Sequence, residues 1–462
     1  MLYLLCGITL VFFIYNIWSS QGEWINPSVI FCAAFLAYEG MCLVAQKKFA
    51  IKMEPITIAV IIAACLIFTL LNHMAVHETK DQVAIHTGLK SAEIFPLYVW
   101  GLIFLQILSI VYFIKYITDI AVAYEAISGV HCGGIGEKIQ LYDTMTKFWT
   151  ELFSELNIPI PMIYRVTNPI CGAMEYLVLY LATKKIYFEK RISISYLIVF
   201  VLMVVRILMN GSRSPLLRVI TFSVFLYLMF LVRDRKLQRF NLKIFIKLVG
   251  AAILLCGLMI ALLFLMGRGR DEMDYVGYIF TYVGAPLVNL NTFLRNGSVG
   301  FFHGATSGEL LGAHTFRGLY RYAAKIFHFT VDIPDINYFT FSDNGIEIGN
   351  VYTMFYTLLY DFGYFGTLIF TAIMAAYYVF EYQSIKQVNR HIVDLRLFLY
   401  AYLFNDLIMS TFSNRFYETI FDAPFIKFVP LVIIFDLVLI EYDPSTPIRN
   451  YIVKKKAALH KD

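Results

Sequence analysis

Apolar residues along this chain do not alternate with polar ones; they arrive in blocks of about twenty, separated by short polar stretches. A helix of that length crosses a hydrocarbon core of about 30 Å. The blocks predict helices near 1–18, 26–45, 55–72, 96–117, 161–183, 192–210, 216–232, 244–266, 350–382, 397–412 and 425–441, about eleven spans. One stretch has a different pattern. "QLYDTMTKFWTELFSEL" puts Leu141, Met145, Phe148, Leu152, Phe153 and Leu156 on one helical face, which predicts either a helix in the membrane interface or an amphipathic helix packed on the bundle.

Composition agrees with the pattern: 59% of the 462 residues are apolar and 15% charged, the balance of an all-α polytopic membrane protein. The first eighteen residues lack a basic leader and a small-residue cleavage site, so they read as a retained first span. Seven cysteines are scattered without C-x-x-C pairs, which gives no disulfide framework and no metal site. The net charge of +5 gives no reason to expect nucleic acid, because the basic residues concentrate in short loops. No internal repeat or separate soluble domain is visible, so residues 1–462 read as one transmembrane domain.

Those loops set an orientation. Lys184, Lys185, Lys190 and Arg191 form one; Arg233, Arg235, Lys236, Arg239 and Lys243 another; Lys386, Arg390 and Arg396 a third; Lys454, Lys455 and Lys456 lie in the tail. The positive-inside rule puts all four in the cytoplasm, and residues 211–215, 267–349 and 413–424 outside. Lys47, Lys48 and Lys52 also ask to be inside, yet three expected spans separate them from the Lys184 loop. Either 119–160 contains a crossing or one basic loop breaks the rule.

The chemistry concentrates near the long loop. Asp361 lies within an apolar run, where a charge costs roughly 2.5–3.5 kcal/mol and marks a functional hypothesis. Loop 267–349 holds Arg268, Arg270, Arg295, Arg317 and Arg321 with a single lysine, Lys325, and Arg213 sits at the outer end of a neighbouring span. Arginine grips phosphate bidentately where lysine acts as a point charge. As a set these residues favour an anionic ligand such as a membrane-embedded pyrophosphate; singly, each has an ordinary alternative in pairing with Asp271, Glu272, Asp274, Asp343 or Glu347. His303 and His314 are candidate bases or glycan donors, with loop structure as the alternative. Tyr275, Tyr278, Tyr282, Tyr320, Tyr322 and Tyr338 suit a membrane interface and sugar faces alike. His73 and His77 lack the glutamate of a zinc protease, "DFG" at 361–363 has no accompanying nucleotide loop, and there is no D-x-D, P-loop or G-x-S-x-G.

The order of these features resembles a known family. A "GSR" closing a middle span, "YVGAPLVNLN" (282–291), "LLGAHTFRGL" (310–319) and "NVYTMFYTLLYDFGYFG" (350–366) are similar to the Wzy-type polymerases of O-antigen and capsular repeat units, over about residues 205–385. The resemblance implies a GT-C-like multi-pass glycosyltransferase of the bacterial plasma membrane with its active site facing outward, under a roof formed by 267–349. The polymerase would transfer a growing glycan from undecaprenyl diphosphate to the non-reducing end of an incoming lipid-linked repeat unit. It would need no metal, nucleotide or cofactor, and its partners would be the lipid-linked donor and acceptor, a chain-length regulator and a flippase. Arg213, Arg268, Arg270, Arg295, Arg317 and Arg321 would bind diphosphates; Asn350 and Tyr352 would hold sugar hydroxyls. Asp361, His303 and His314 are the candidate catalytic residues, with Asp361 alternatively paired to a buried cation such as Arg206. An O-antigen ligase is a second reading, although the histidine expected before the asparagine is Gly349 here; a lipid-linked oligosaccharide flippase or transporter is a third.

Overall fold

The computed structural model describes residues 1–78, 94–212, 214–234, 250, 275–297, 299–305, 310–386 and 393–440. Within them the protein is almost entirely helical. The helices are α1 (Leu2–Ser19), α2 (Pro27–Ala45), α3 (Pro55–Glu78), α4 (Pro96–Ser128), α5 (Ile135–Lys147), α6 (Thr150–Glu155), α7 (Met162–Glu189), α8 (Ile194–Met209), α9 (Ser214–Arg233), α10 (Tyr275–Val283), α11 (Ala285–Arg295), α12 (Arg317–Phe327), α13 (Phe355–Ile385), α14 (Leu395–Ile408), α15 (Arg415–Ile420) and α16 (Ala423–Leu439). The sole sheet among the described residues is the antiparallel pair β1 (Thr340–Phe341) and β2 (Glu347–Gly349). Among the described residues six helices are long and apolar enough to cross a membrane: α1, α2, α3, α4, α9 and α13; α8 is a shorter apolar helix.

Helix starts follow the sequence. Pro27, Pro55 and Pro96 open α2, α3 and α4, where a missing N–H costs nothing. Asn26 accepts a hydrogen bond from Ser28 N, and Asp394 caps α14 by accepting from Leu397 N. Helix α7 is the centre of the bundle: residues 173–184 are buried on every side, against α4, α8, α9 and α16. The buried ions at the centre of the bundle are paired. Arg206 pairs with Glu175, which also accepts from Gln106, and Arg233 bonds Asp394 at 2.6 Å and the Ile385 carbonyl. Arg206 is therefore already committed and is not the partner of Asp361.

Contacts sort the loops into two ends. Glu23 pairs with Lys386 at 2.5 Å, Tyr187 donates to Asp234, Arg233 bonds Asp394, and Ile94 bridges Ile440, which brings the basic loops near 190, 234 and 390 together. At the opposite end Asn344 donates to the Lys48 carbonyl, and Asn291 donates to the Lys52 carbonyl while accepting from Glu54 N and Thr57 Oγ1. The lysines of 47–52 therefore lie away from the other basic loops and break the positive-inside expectation. Residues 129–161 contain no crossing: α5 spans about 20 Å at 1.5 Å per residue, and α6 less.

The amphipathic stretch is split between α5 and α6. Leu141 and Met145 are buried against Phe113, Tyr116, Ile117 and Ile120 of α4 and Met209, with Leu152, Phe153 and Leu156 partly covered by the same cluster. It is a helix pair packed on the bundle. Phe148 leaves that face, lies exposed at the break, and approaches Phe339.

Helix α13 is broken where an unbroken one was expected. Gly363 has φ 66° and ψ −167°, a region essentially confined to glycine. The strap 299–305 fills the break: Ala305 N donates to the Tyr360 carbonyl at 2.8 Å, Tyr364 N to Gly300 O at 3.3 Å, and Phe365 N to Phe301 O at 2.9 Å. The groups freed by the break thus regain partners inside the protein, as irregular backbone at membrane depth requires.

Candidate functional site

A cavity of about 880 Å³ opens at the end of the bundle that carries loop 284–354. Its walls come from seven places: the end of α5 with Phe148, the start of α9, residues 314–325 with α12, residues 336–337, the approach to α13 (350–357), Tyr402 of α14, and residues 412–425.

Six cations line it: Lys147, Arg218, Arg317, Arg321, Lys325 and Arg415, against the carboxylates Glu418 and Asp422. Asp143, Asp406 and Asp335 stand behind the wall and pair with Lys147, Arg218 and Arg317, which leaves a surplus of one positive charge. Arg218 is the most fixed of the six. Its guanidinium bonds Asp406 Oδ1 at 2.6 Å and Thr419 Oγ1 at 3.1 Å and lies over the Tyr402 ring at 4.7 Å. Arg317 donates to the Ile333 carbonyl at 3.2 Å, and both burial and neighbouring Arg321 push its pKa down. Two guanidinium groups held side by side are a site that an anion relieves. On α12 the cations Arg317, Arg321 and Lys325 recur every four residues and so share the face turned to the cavity.

The facing wall is neutral. Asn337, Asn350, Tyr352, Thr353, Tyr356, Thr357, Ser413 and Asn414 line it. Tyr352 and Tyr356 stack at 3.9 Å, and their hydroxyls donate to the carbonyls of Tyr338 and Ile336. Five buried polar atoms of the lining have no hydrogen-bond partner among the described residues: Thr353 Oγ1, Ser413 Oγ, Asn414 Oδ1 and the Nε atoms of Arg317 and Arg415. A native interior pairs nearly all such groups, so this concentration points to a polar occupant.

The structure brings together His314, Arg317, Arg321, Asn350 and Tyr352 of the residues singled out from the sequence. Asp361 stands one layer back. Its carboxylate accepts from Thr315 N at 2.6 Å and His314 N at 3.4 Å, so it fixes the turn that presents His314. "DFG" thus has a local meaning here: Asp361 holds the turn, Phe362 packs on Phe316 and Phe370, and Gly363 makes the break. His303 is exposed on strap 299–305 and does not line the cavity, and Arg295 pairs with Asp343 at 2.8 Å outside it. His73 contacts the Tyr15 hydroxyl at 3.2 Å on the other side of the bundle. Arg213, Arg268 and Arg270 lie outside the described residues.

Sequence reading missed Arg218, Arg415, Lys147 and Asp422. A signal for the first was present: Arg218 is a charge inside an apolar run, the same feature that drew attention to Asp361. Arg415 lies in a short loop expected on the same side as 267–349. No family model matches the chain, and comparison with curated proteins and with solved structures finds no match.

Proposed function

We propose that the chain is a glycosyltransferase of the Wzy polymerase type, acting on glycans linked to undecaprenyl diphosphate. The cavity carries this reading: one wall offers surplus positive charge, the other hydroxyls, amides and stacked tyrosines, as a ligand with an anionic diphosphate next to a sugar demands. A diphosphate diester bears one negative charge on each phosphorus, and the lining offers it positive charge in excess.

The membrane reading extends to eleven crossings: α1–α4, α7–α9, α13, α14 and α16, with the apolar run 244–266 as the remaining one. The basic end then faces the cytoplasm and the cavity faces outward. In the reaction, the acceptor hydroxyl attacks the anomeric carbon of the donor, a new C–O bond forms, and the bond to the diphosphate oxygen breaks with its electron pair. Arg218, Arg317, Arg321 and Arg415 stabilise the charge gathering on that leaving group. His314 takes the acceptor's proton, held in place by Asp361 through the backbone.

The test is reconstitution of purified protein with a synthetic undecaprenyl diphosphate repeat unit, in chelator and without nucleotide. A ladder spaced by whole repeat units, with release of undecaprenyl diphosphate, is the expected product. Arg415→Ala, which removes a guanidinium from the cavity wall, should weaken donor binding about 10–100-fold. Unchanged substrate from folded protein, in every repeat-unit structure and with partner proteins supplied, overturns the reading.

A further inference from the structure

The helix that roofs the cavity has a second face. Arg317, Gly318, Arg321, Tyr322 and Lys325 of α12 turn inward, whereas Leu319, Ile326 and Phe327 point the other way and are exposed, Phe327 at 73%. No residue of α12 is buried. Phe301 and Phe302 of the neighbouring strap are exposed as well, and so is Leu311, whose carbonyl accepts from Tyr320 on α12. These side chains form an apolar crest at the rim of the cavity.

Its depth is fixed by α13. Phe301 and Phe302 lie 6.0 and 5.4 Å from Phe365, ring to ring, and strap backbone bonds Tyr360, Tyr364 and Phe365. Phe365 is the eleventh residue of a helix long and apolar enough to cross a membrane, and with Leu368, Ile369 and Ile373 it belongs to that helix's exposed apolar wall. The crest continues this wall.

We propose that the crest formed by strap 299–305, Leu311 and the outer face of α12 is embedded in the lipid interface, so that α12 lies as an amphipathic helix between bilayer and cavity. Apolar residues on one side and cations on the other are what such a helix requires, with the unusual feature that here the cations face an interior cavity instead of headgroups. The roof of the site is then anchored to lipid. A substrate carrying a lipid tail and a charged head meets both of its preferred surroundings across the thickness of one helix.

The experiment uses the full chain in phosphatidylcholine vesicles, with Phe327→Trp and, as an independent variant, Leu311→Trp. The emission added over the parent, which has four tryptophans, is measured with plain and with brominated lipid, and with aqueous iodide. Insertion to the headgroup–acyl boundary predicts loss of at least about half of the added emission in brominated lipid and little loss to iodide. Quenching by iodide alone would put the crest in water, and protection from both quenchers would put it against protein, another copy of the chain included. Either result overturns the proposal, whether or not the protein polymerises glycans.

Discussion

Substituting Gly363 by alanine tests the break in α13 and the site built around it. At φ 66° and ψ −167° a side chain costs about 1–3 kcal/mol in backbone strain alone. A Cβ there would also stand 2.6 Å from the carbonyl oxygens of Gly300 and His303, so the strap must move away. That movement breaks the bonds from Tyr364 N and Phe365 N to the strap and the bond from Ala305 N to Tyr360, each with a net contribution of about 1 kcal/mol. The sum is a destabilisation of about 4–6 kcal/mol, with the amides of Ala305, Tyr364 and Phe365 losing protection first. Thermal unfolding in detergent and hydrogen exchange of these three amides measure both effects. Gly101→Ala on α4 is the control, because nothing lies within 4 Å of its added carbon and its φ is ordinary. A Gly363→Ala protein that melts within about a degree of the parent, with those amides still protected, would refute the break as described.

Three further outcomes follow from the same geometry. Asp406→Ala leaves the Arg218 guanidinium without its buried partner and should cost about 3–5 kcal/mol in unfolding measurements, whereas Arg218→Leu combined with Asp406→Leu should recover most of that stability while abolishing donor binding. Asp361→Asn keeps an acceptor for one backbone N–H and loses the charge on the turn; folded protein should remain, with transfer reduced because His314 is no longer held, as a single-turnover assay would read. Burial raises the pKa of Asp422 above its ordinary value, so the folded state keeps a proton that the unfolded chain has already released. Stability should therefore fall as pH rises from the ordinary carboxylate value through the raised one, and Asp422→Asn should flatten that slope in denaturation curves taken across the acidic range.

The described helices of the bundle were legible as apolar blocks, because a run of twenty apolar residues has few other ways to satisfy its backbone in lipid. What the blocks did not carry was length and interruption. Helix α4 runs to Ser128 and overshoots its expected end near 117, since its last turns are covered by α5 and α6 and need no lipid. The break at Gly363 depends on a strap sixty residues earlier in the chain, a tertiary partner that local pattern does not name. The cationic wall was half legible. Arg317 and Arg321 stood out as arginines of the 267–349 loop, Arg295 took its ordinary option with Asp343, and Arg218 went unnoticed because its countercharge, Asp406, lies 188 residues away.

The asparagine clamp between residues 46–57 and the roof bears on how this protein comes into being. Glu54 waits for a partner 237 residues further on, and Lys48 for one 296 residues further on. At a synthesis rate of about 5–20 residues per second, the loop emerges roughly 12–60 s before Asn291 and Asn344 exist. The first three helices are thus synthesised long before the asparagines that join them to the roof. A chain that stops before Asn291 lacks every bond of this clamp.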